Sequence, residues 1–112
     1  MKEEQEHMQN ILDILTEETR KAFEKAGYES EGISVTLSNR PDLCDYQCNG
    51  AMPLAKTAHK APILIAQKVA HNLEECEFLE SVGAVNPGFL NMIISQNFLV
   101  DYINKMEQLN IN

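Results

Sequence analysis

Apolar residues and one threonine recur at helical spacing near the start of the chain: Met8, Ile11, Leu12, Leu15, Thr19, Ala22, Phe23 and Ala26 fall on one stripe, and Gly27 follows as a stop. The spacing predicts an amphipathic helix over residues 4–26. The period then changes from helical to alternating. In ISVTLS (33–38) Ile33, Val35 and Leu37 alternate with Ser34, Thr36 and Ser38, which predicts a half-buried strand. NRPD (39–42) ends it, because Pro41 disfavours helix at Arg40 and lacks an amide proton. A second short strand is expected through 44–48.

From Ala51 the pattern is helical again, with Leu54, Ala55 and Ala58 on one face until Ala61-Pro62 interrupts it. Proline fits the first turn of a new helix, so two pieces are predicted, 51–60 and 62–73, the second burying Ile63, Ala66, Val69, Ala70 and Leu73. CEFLESVGAV (76–85) and GFLNMIIS (88–95) are rich in strand formers and separated by Asn86-Pro87, an expected antiparallel pair. A last helix over about 97–108 should bury Phe98, Tyr102, Met106 and Leu109, with Ser95 or Asn97 as its cap. The order is α-ββ-α(α)-ββ-α. It predicts an α+β two-layer sandwich, with helices on one face of an antiparallel sheet and an extra C-terminal helix.

Composition narrows the class. A length of 112 residues, 44% of them hydrophobic, supports one domain with a single core, residues 1–112, and leaves little room for a two-site enzyme. No apolar run of 18 residues exists and the start MKEEQEHMQN is charged, so a cytoplasmic chain with neither signal peptide nor membrane contact is expected. Three cysteines, Cys44, Cys48 and Cys76, are then free thiols rather than a disulfide framework.

The net charge of −8 argues against general nucleic-acid binding and against DNA as a partner, because phosphate contacts need lysine and arginine. Its distribution is uneven. Residues 1–31 hold nine acidic and four basic side chains and residues 74–112 hold six and one, whereas 32–73 hold Asp42 and Asp45 against Arg40, Lys56, Lys60 and Lys68, with His59 and His71 besides. The middle segment alone is basic. Charge asymmetry of this size is also common on ordinary surfaces.

Enzymatic chemistry finds little support. No phosphate-cradling glycine motif is present. Zinc between Cys44 and Cys48 fails on distance: in a strand their sulfurs would stand roughly 13 Å apart at about 3.3 Å per residue, far beyond two thiolate bonds to one ion. Nothing selects His59 or His71 as a base for a cysteine nucleophile, and Asp42 and Asp45 beside Pro41 read as turn residues before they read as a carboxylate pair. No catalytic residue, metal or cofactor is therefore expected. What stands out is PDLCDYQCNG (41–50), where Tyr46, Gln47 and Asn49 sit together at the mouth of the basic segment. Such groups can hydrogen-bond the edge of an unstacked RNA base and stack on its face, or serve as a core aromatic with locally bonded amides.

Three stretches in sequence, NRPDLCDYQCNGAMPLAK (39–56), KAPILIAQKVA (60–70) and NPGFLNMII (86–94), resemble the N-terminal additional domain of arginyl-tRNA synthetase. That family has a Gly-Asp-Tyr/Phe-Gln-x-Asn stretch leading into an Ala-rich helix, and a Pro-Gly-Phe-Ile/Leu-Asn strand entry. The resemblance covers about residues 33–106. It implies a two-layer fold and a tRNA-binding appendage that contacts the D-loop corner, in many members at an unpaired adenine, and so positions the tRNA for arginylation. By position the implied contacts are Asn39, Tyr46, Gln47 and Asn49, with Arg40 and Lys56 near phosphate; Phe89 and Asn91 are implied mainly as supports of the loop. One departure is Cys44, which stands where the family has glycine and would be strained if that position required positive φ.

The chain lacks the His-Ile/Val-Gly-His stretch and the Lys-Met-Ser-Lys loop of those synthetases. The resemblance thus implies a fragment whose catalytic and anticodon-binding domains lie elsewhere, the core beginning shortly after Asn112, with ATP and magnesium used there and not here. The implied partners are an arginine-accepting tRNA and that catalytic core in cis. The competing reading is a free-standing acidic protein-interaction module using the outer helices or the surface of 97–109.

Overall fold

The computed structural model describes the backbone of residues 2–111 and the side chains of residues 10–107. Eight elements follow in order: α1 (Lys2–Lys25), β1 (Thr36–Leu37), β2 (Tyr46–Cys48), α2 (Ala51–Ala58), α3 (Pro62–Asn72), β3 (Leu79–Val85), β4 (Phe89–Ile94) and α4 (Gln96–Ile111). The strands form one antiparallel sheet in the order β1-β2-β4-β3. The expected α+β sandwich is the observed one.

Helix α1 buries Ile11, Leu15, Thr19, Ala22, Phe23 and Ala26, and the Thr19 hydroxyl donates to the Leu15 carbonyl at 2.7 Å. The side chains of Met8 and Leu109, expected on buried stripes, lie outside the described residues. Gly27 stops α1 with φ +94°, while its amide and that of Tyr28 bond back to the Glu24 and Phe23 carbonyls at 2.9 and 3.0 Å, a Schellman ending. In α3 the buried stripe is Ile65, Ala66, Val69 and Ala70, continued by Leu73, so Ile65 takes the place expected of Ile63. The five positions still follow one face of a 3.6-residue helix. Pro62 opens α3 as expected, after Ala61 turns extended.

The first strand is shorter than its alternation predicts. Ile33 and Val35 are buried, but the Ile33 carbonyl accepts from Arg20 Nε at 2.9 Å and the Val35 amide donates to Thr16 Oγ1 at 3.0 Å. Side chains of α1 thus take the bonds a neighbouring strand would use. Only Thr36 and Leu37 pair with β2, at the sheet edge, and Leu37 is 52% exposed instead of buried. At the other end, Ser95 caps α4 by accepting the Phe98 amide at 3.2 Å, and Phe78, Phe98 and Tyr102 form a run of tilted rings with centroids 4.6 and 5.9 Å apart. Phe98, Tyr102 and Met106 are half-buried there.

Helix α3 packs on β3 and β4, and α1 and α2 pack on α3, so these three helices form a layer on one side of the sheet. The buried residues make one cluster spanning both layers. The other side of the sheet carries the candidate site.

Candidate nucleic-acid interface

Alternation along three paired strands sorts the side chains. In β2, Tyr46 and Cys48 point into the core and Gln47 between them does not; in β4, Leu90, Met92 and Ile94 point inward while Phe89, Asn91 and Ile93 take the opposite face. The register places Gln47 opposite Asn91 and Asn91 opposite Gly83, with Thr36 beyond Gln47 on the edge. One row therefore reads Thr36, Gln47, Asn91, Gly83 across all four strands. Gln47 Nε2 donates to Asn91 Oδ1 at 3.4 Å, a long bond that leaves the Gln47 carbonyl oxygen and the Asn91 amide group for other partners.

The next row holds Phe89 opposite Val85, the latter 43% exposed. A Cβ built on Gly83 would meet nothing within 4 Å, so the floor beside Asn91 is open. A half-buried aromatic, two carboxamides and an unfilled position side by side offer what an unstacked base needs: a face to stack on and groups for its edge.

The implied contact residues divide. Tyr46 is only 6% exposed and belongs to the core, so the stacking surface expected of it is not presented. Strand alternation decides this: with Gln47 outward, Tyr46 must face in. Burial first, and then the charge of Asp45, push its phenol above the ordinary range. Asp45 and Asn49 flank β2, about 13 Å apart along the strand. Asn39 and Arg40 lie past the Asp45 end, where Ser38 bonds the Asp45 carbonyl, while Asn49 and Lys56 lie past the other. Asn39, Asn49 and Lys56 are exposed. No single base reaches all of them.

Arg40 carries its own counter-ion. Its guanidinium grips Asp42 with Nε to Oδ1 at 3.1 Å and a second nitrogen to Oδ2 at 2.9 Å. The pairing raises the Arg40 pKa and lowers that of Asp42. Asp45 instead ties strands together: its Oδ2 accepts the Ile94 amide at 2.9 Å and its own amide donates to the Met92 carbonyl at 2.9 Å. Among the described residues His59 is the one non-glycine position with positive φ, so Cys44 suffers none of the strain considered for it; it is buried, with Sγ 3.2 Å from Ser38 Oγ. Burial pushes the Cys48 and Cys76 thiols up, which disfavours the thiolate a nucleophile needs.

Sequence reasoning gave Asn91 and Phe89 supporting parts, yet they lie on the open face with Gln47. The signal was available in the register: strands of alternating pattern on either side of a shared core put Gln47 and Asn91 on one face once they pair.

The profile of a family described as the arginyl tRNA synthetase N terminal domain matches residues 9–94. The chain belongs to that family. Arginine–tRNA ligase from Agathobacter rectalis is 50% identical over 100 residues, 89% of this chain and 17% of that protein, and the one from Alkaliphilus oremlandii is 39% identical over 99 residues, 88% and 17%. The chain thus spans about 17% of the length of these relatives. Among solved structures, Thermus thermophilus arginyl-tRNA synthetase superposes with a TM-score of 0.68 at 27% identity, covering 80% of this chain and 15% of that one. Plasmodium falciparum arginyl-tRNA synthetase superposes with 0.73 at 20% identity over 82% and 17%, a likeness of fold. What matches is the N-terminal domain of these ligases.

Proposed function

We propose that this arginyl-tRNA synthetase N-terminal domain is a tRNA-positioning module whose contact surface is the open face of the sheet, and that it binds the D-loop corner of an arginine-accepting tRNA. The observation that carries the reading is the pairing of Gln47 with Asn91 on the uncovered face, beside Phe89 and the open floor at Gly83. Residues 1–112 act as one unit. An unpaired loop base stacks on Phe89 and is held at its edge by Gln47 and Asn91, with Asn49 or Asn39 meeting neighbouring nucleotides from the two ends of β2. The gain is about 1–3 kcal/mol per base, enough to fix the register of a tRNA already tethered to a catalytic body in cis.

No residue here is assigned to ATP, magnesium or the transfer of arginine. Those belong to the rest of a ligase, working in the cytoplasm. With a net charge of −8 the domain alone binds RNA weakly, on the order of high micromolar, since few phosphates are met. Exposed Val100 on α4 is a single apolar side chain, which is ordinary and does not argue for a protein partner.

The test is an anisotropy titration with a labelled D-arm hairpin from an arginine tRNA. Gln47→Ala and Asn91→Ala are each expected to weaken binding about fivefold or more, and so is changing the unpaired loop adenine. Unaltered binding in all three would overturn the reading, as would nanomolar affinity of the domain alone.

A further inference from the structure

One end of the open face is bordered by α2 and its continuation. Helix α2 starts at Gly50, directly after β2, and Gly50 packs against Ile33 and Phe23. Its far end leads through His59 and Lys60 to Pro62, and Pro62 lies against Gly88, where a Cβ would sit 2.9 Å from the Pro62 carbonyl carbon. Gly88 immediately precedes Phe89, and Cys48 is paired with Leu90, so both ends of α2 are fastened to the same end of the sheet. Eight residues of helix, about 12 Å long, cross that end like a rim.

The rim is positive. Residues 46–73 contain no aspartate or glutamate, and the rim carries Lys56, His59 and Lys60, all exposed. Three other cations of the described residues are paired, Arg40 with Asp42, Lys21 with Glu18 at 3.3 Å and His71 beside Glu74 at 3.4 Å, while Lys25 and Lys105 make no ion pair among them but stand on the acid-rich helices α1 and α4. No ion pair within 4.0 Å is made by Lys56 or Lys60 among the described residues. Lys68 is also exposed, but it stands six residues beyond Pro62 on α3, about 9 Å further along the helix from the Pro62–Gly88 contact.

We propose that Lys56 and Lys60 form the phosphate-binding part of the interface: the RNA backbone runs along the α2 rim at the Phe89 end, and Arg40, held by Asp42, takes no phosphate. This rests on the reading of the open face as the RNA surface and adds the direction of the strand across it. A nucleotide whose base lies on Phe89 has its phosphate toward the rim, where two ammonium groups replace condensed counter-ions.

Counter-ion release makes the proposal measurable. The dissociation constant of the D-arm hairpin is followed by NMR titration at four sodium chloride concentrations, for the wild type, Lys56→Gln/Lys60→Gln, Arg40→Gln and Lys68→Gln. Each phosphate contact contributes about 0.7–0.9 to the slope of log affinity against log salt. The double lysine variant is expected to lose about 1.4–1.8 of that slope, while Arg40→Gln and Lys68→Gln each keep it within about 0.3. The replaced side chains are exposed, and unchanged amide shifts for Met92 and Val69 verify that the core is intact. A slope unchanged in the double variant, or lost equally in Arg40→Gln or Lys68→Gln, overturns the rim, and Gln47→Ala then tells whether the open face survives as the binding surface. Absence of wild-type binding at millimolar RNA overturns both.

Discussion

Tyr46 and Gln47 are adjacent in the chain, belong to the same three-residue strand, and have opposite fates. Tyr46 joins Cys48, Leu90 and Met92 in the core, where a change is felt as lost packing. Gln47 joins Asn91, Gly83 and Phe89 on the face opposite the layer of α1, α2 and α3, and its amide is satisfied by one long bond. The inner side of this sheet carries the core, and the outer side is the surface proposed for contact. A pattern of period two separates the roles as cleanly as two domains would, so substitutions one residue apart should report on different properties.

The largest effect is expected on the inner side. Met92 is fully buried, and Met92→Ala should cost about 2–5 kcal/mol in urea unfolding, with RNA affinity per folded molecule retained. A loss below 0.5 kcal/mol would mean that the inner face is not the core. Asp45→Ala comes next, because it strips the Ile94 amide of a charged acceptor; about 1.5–3 kcal/mol should be lost. At the rim, Gly88→Ala forces a methyl group against the Pro62 backbone and should destabilise by about 1–3 kcal/mol.

Outer-side changes should be quiet in unfolding. Asn91→Ala and Gln47→Ala are expected to alter stability by less than about 0.5 kcal/mol while weakening RNA binding. Gly83→Val sharpens the contrast, since open space above Gly83 accepts the side chain and a strand welcomes valine, yet the added bulk stands beside Asn91. Stability should hold or rise as the D-arm hairpin is shut out. Equal RNA binding by this variant would place the base elsewhere.

The smallest effect concerns pH. Burial raises the Cys48 thiol from its ordinary 9.0, and burial with the Asp45 charge raises the Tyr46 phenol from its ordinary 10.0. A raised value in the folded state means that the native form holds these protons more tightly. Their contribution is therefore complete below about pH 9 and is lost as pH rises through the raised values. Tm should fall from pH 9 upward, and Tyr46→Phe should remove the part of the fall above pH 10; a Tm rising over that range would contradict the burial of both groups.

Much of the fold was legible because periodicity is imposed by burial. The stripe from Ile11 to Ala26, the Pro62 break and the Asn86-Pro87 turn each followed from local chemistry. Strand β1 is shorter than its alternation predicts because Thr16 and Arg20, on a helix about fifteen residues earlier, take the bonds of residues 33–35, which no local window contains. The site was legible only in part. Gln47 stood out by composition, but the inward turn of Tyr46 and the outward place of Asn91 follow from pairing of β2 with β4, and Arg40 is neutralised by a neighbour two residues away whose side chain only a structure can orient.

The most direct test of the central claim is chemical-shift mapping of the isotope-labelled chain with the arginine-tRNA D-arm hairpin. The account predicts that the side-chain amides of Gln47 and Asn91 and the backbone of Gly83 and Phe89 shift together, and shift much less with a hairpin whose unpaired adenine is replaced. Shifts confined to α1 or α4, or none on β2 and β4 at millimolar RNA, would contradict it.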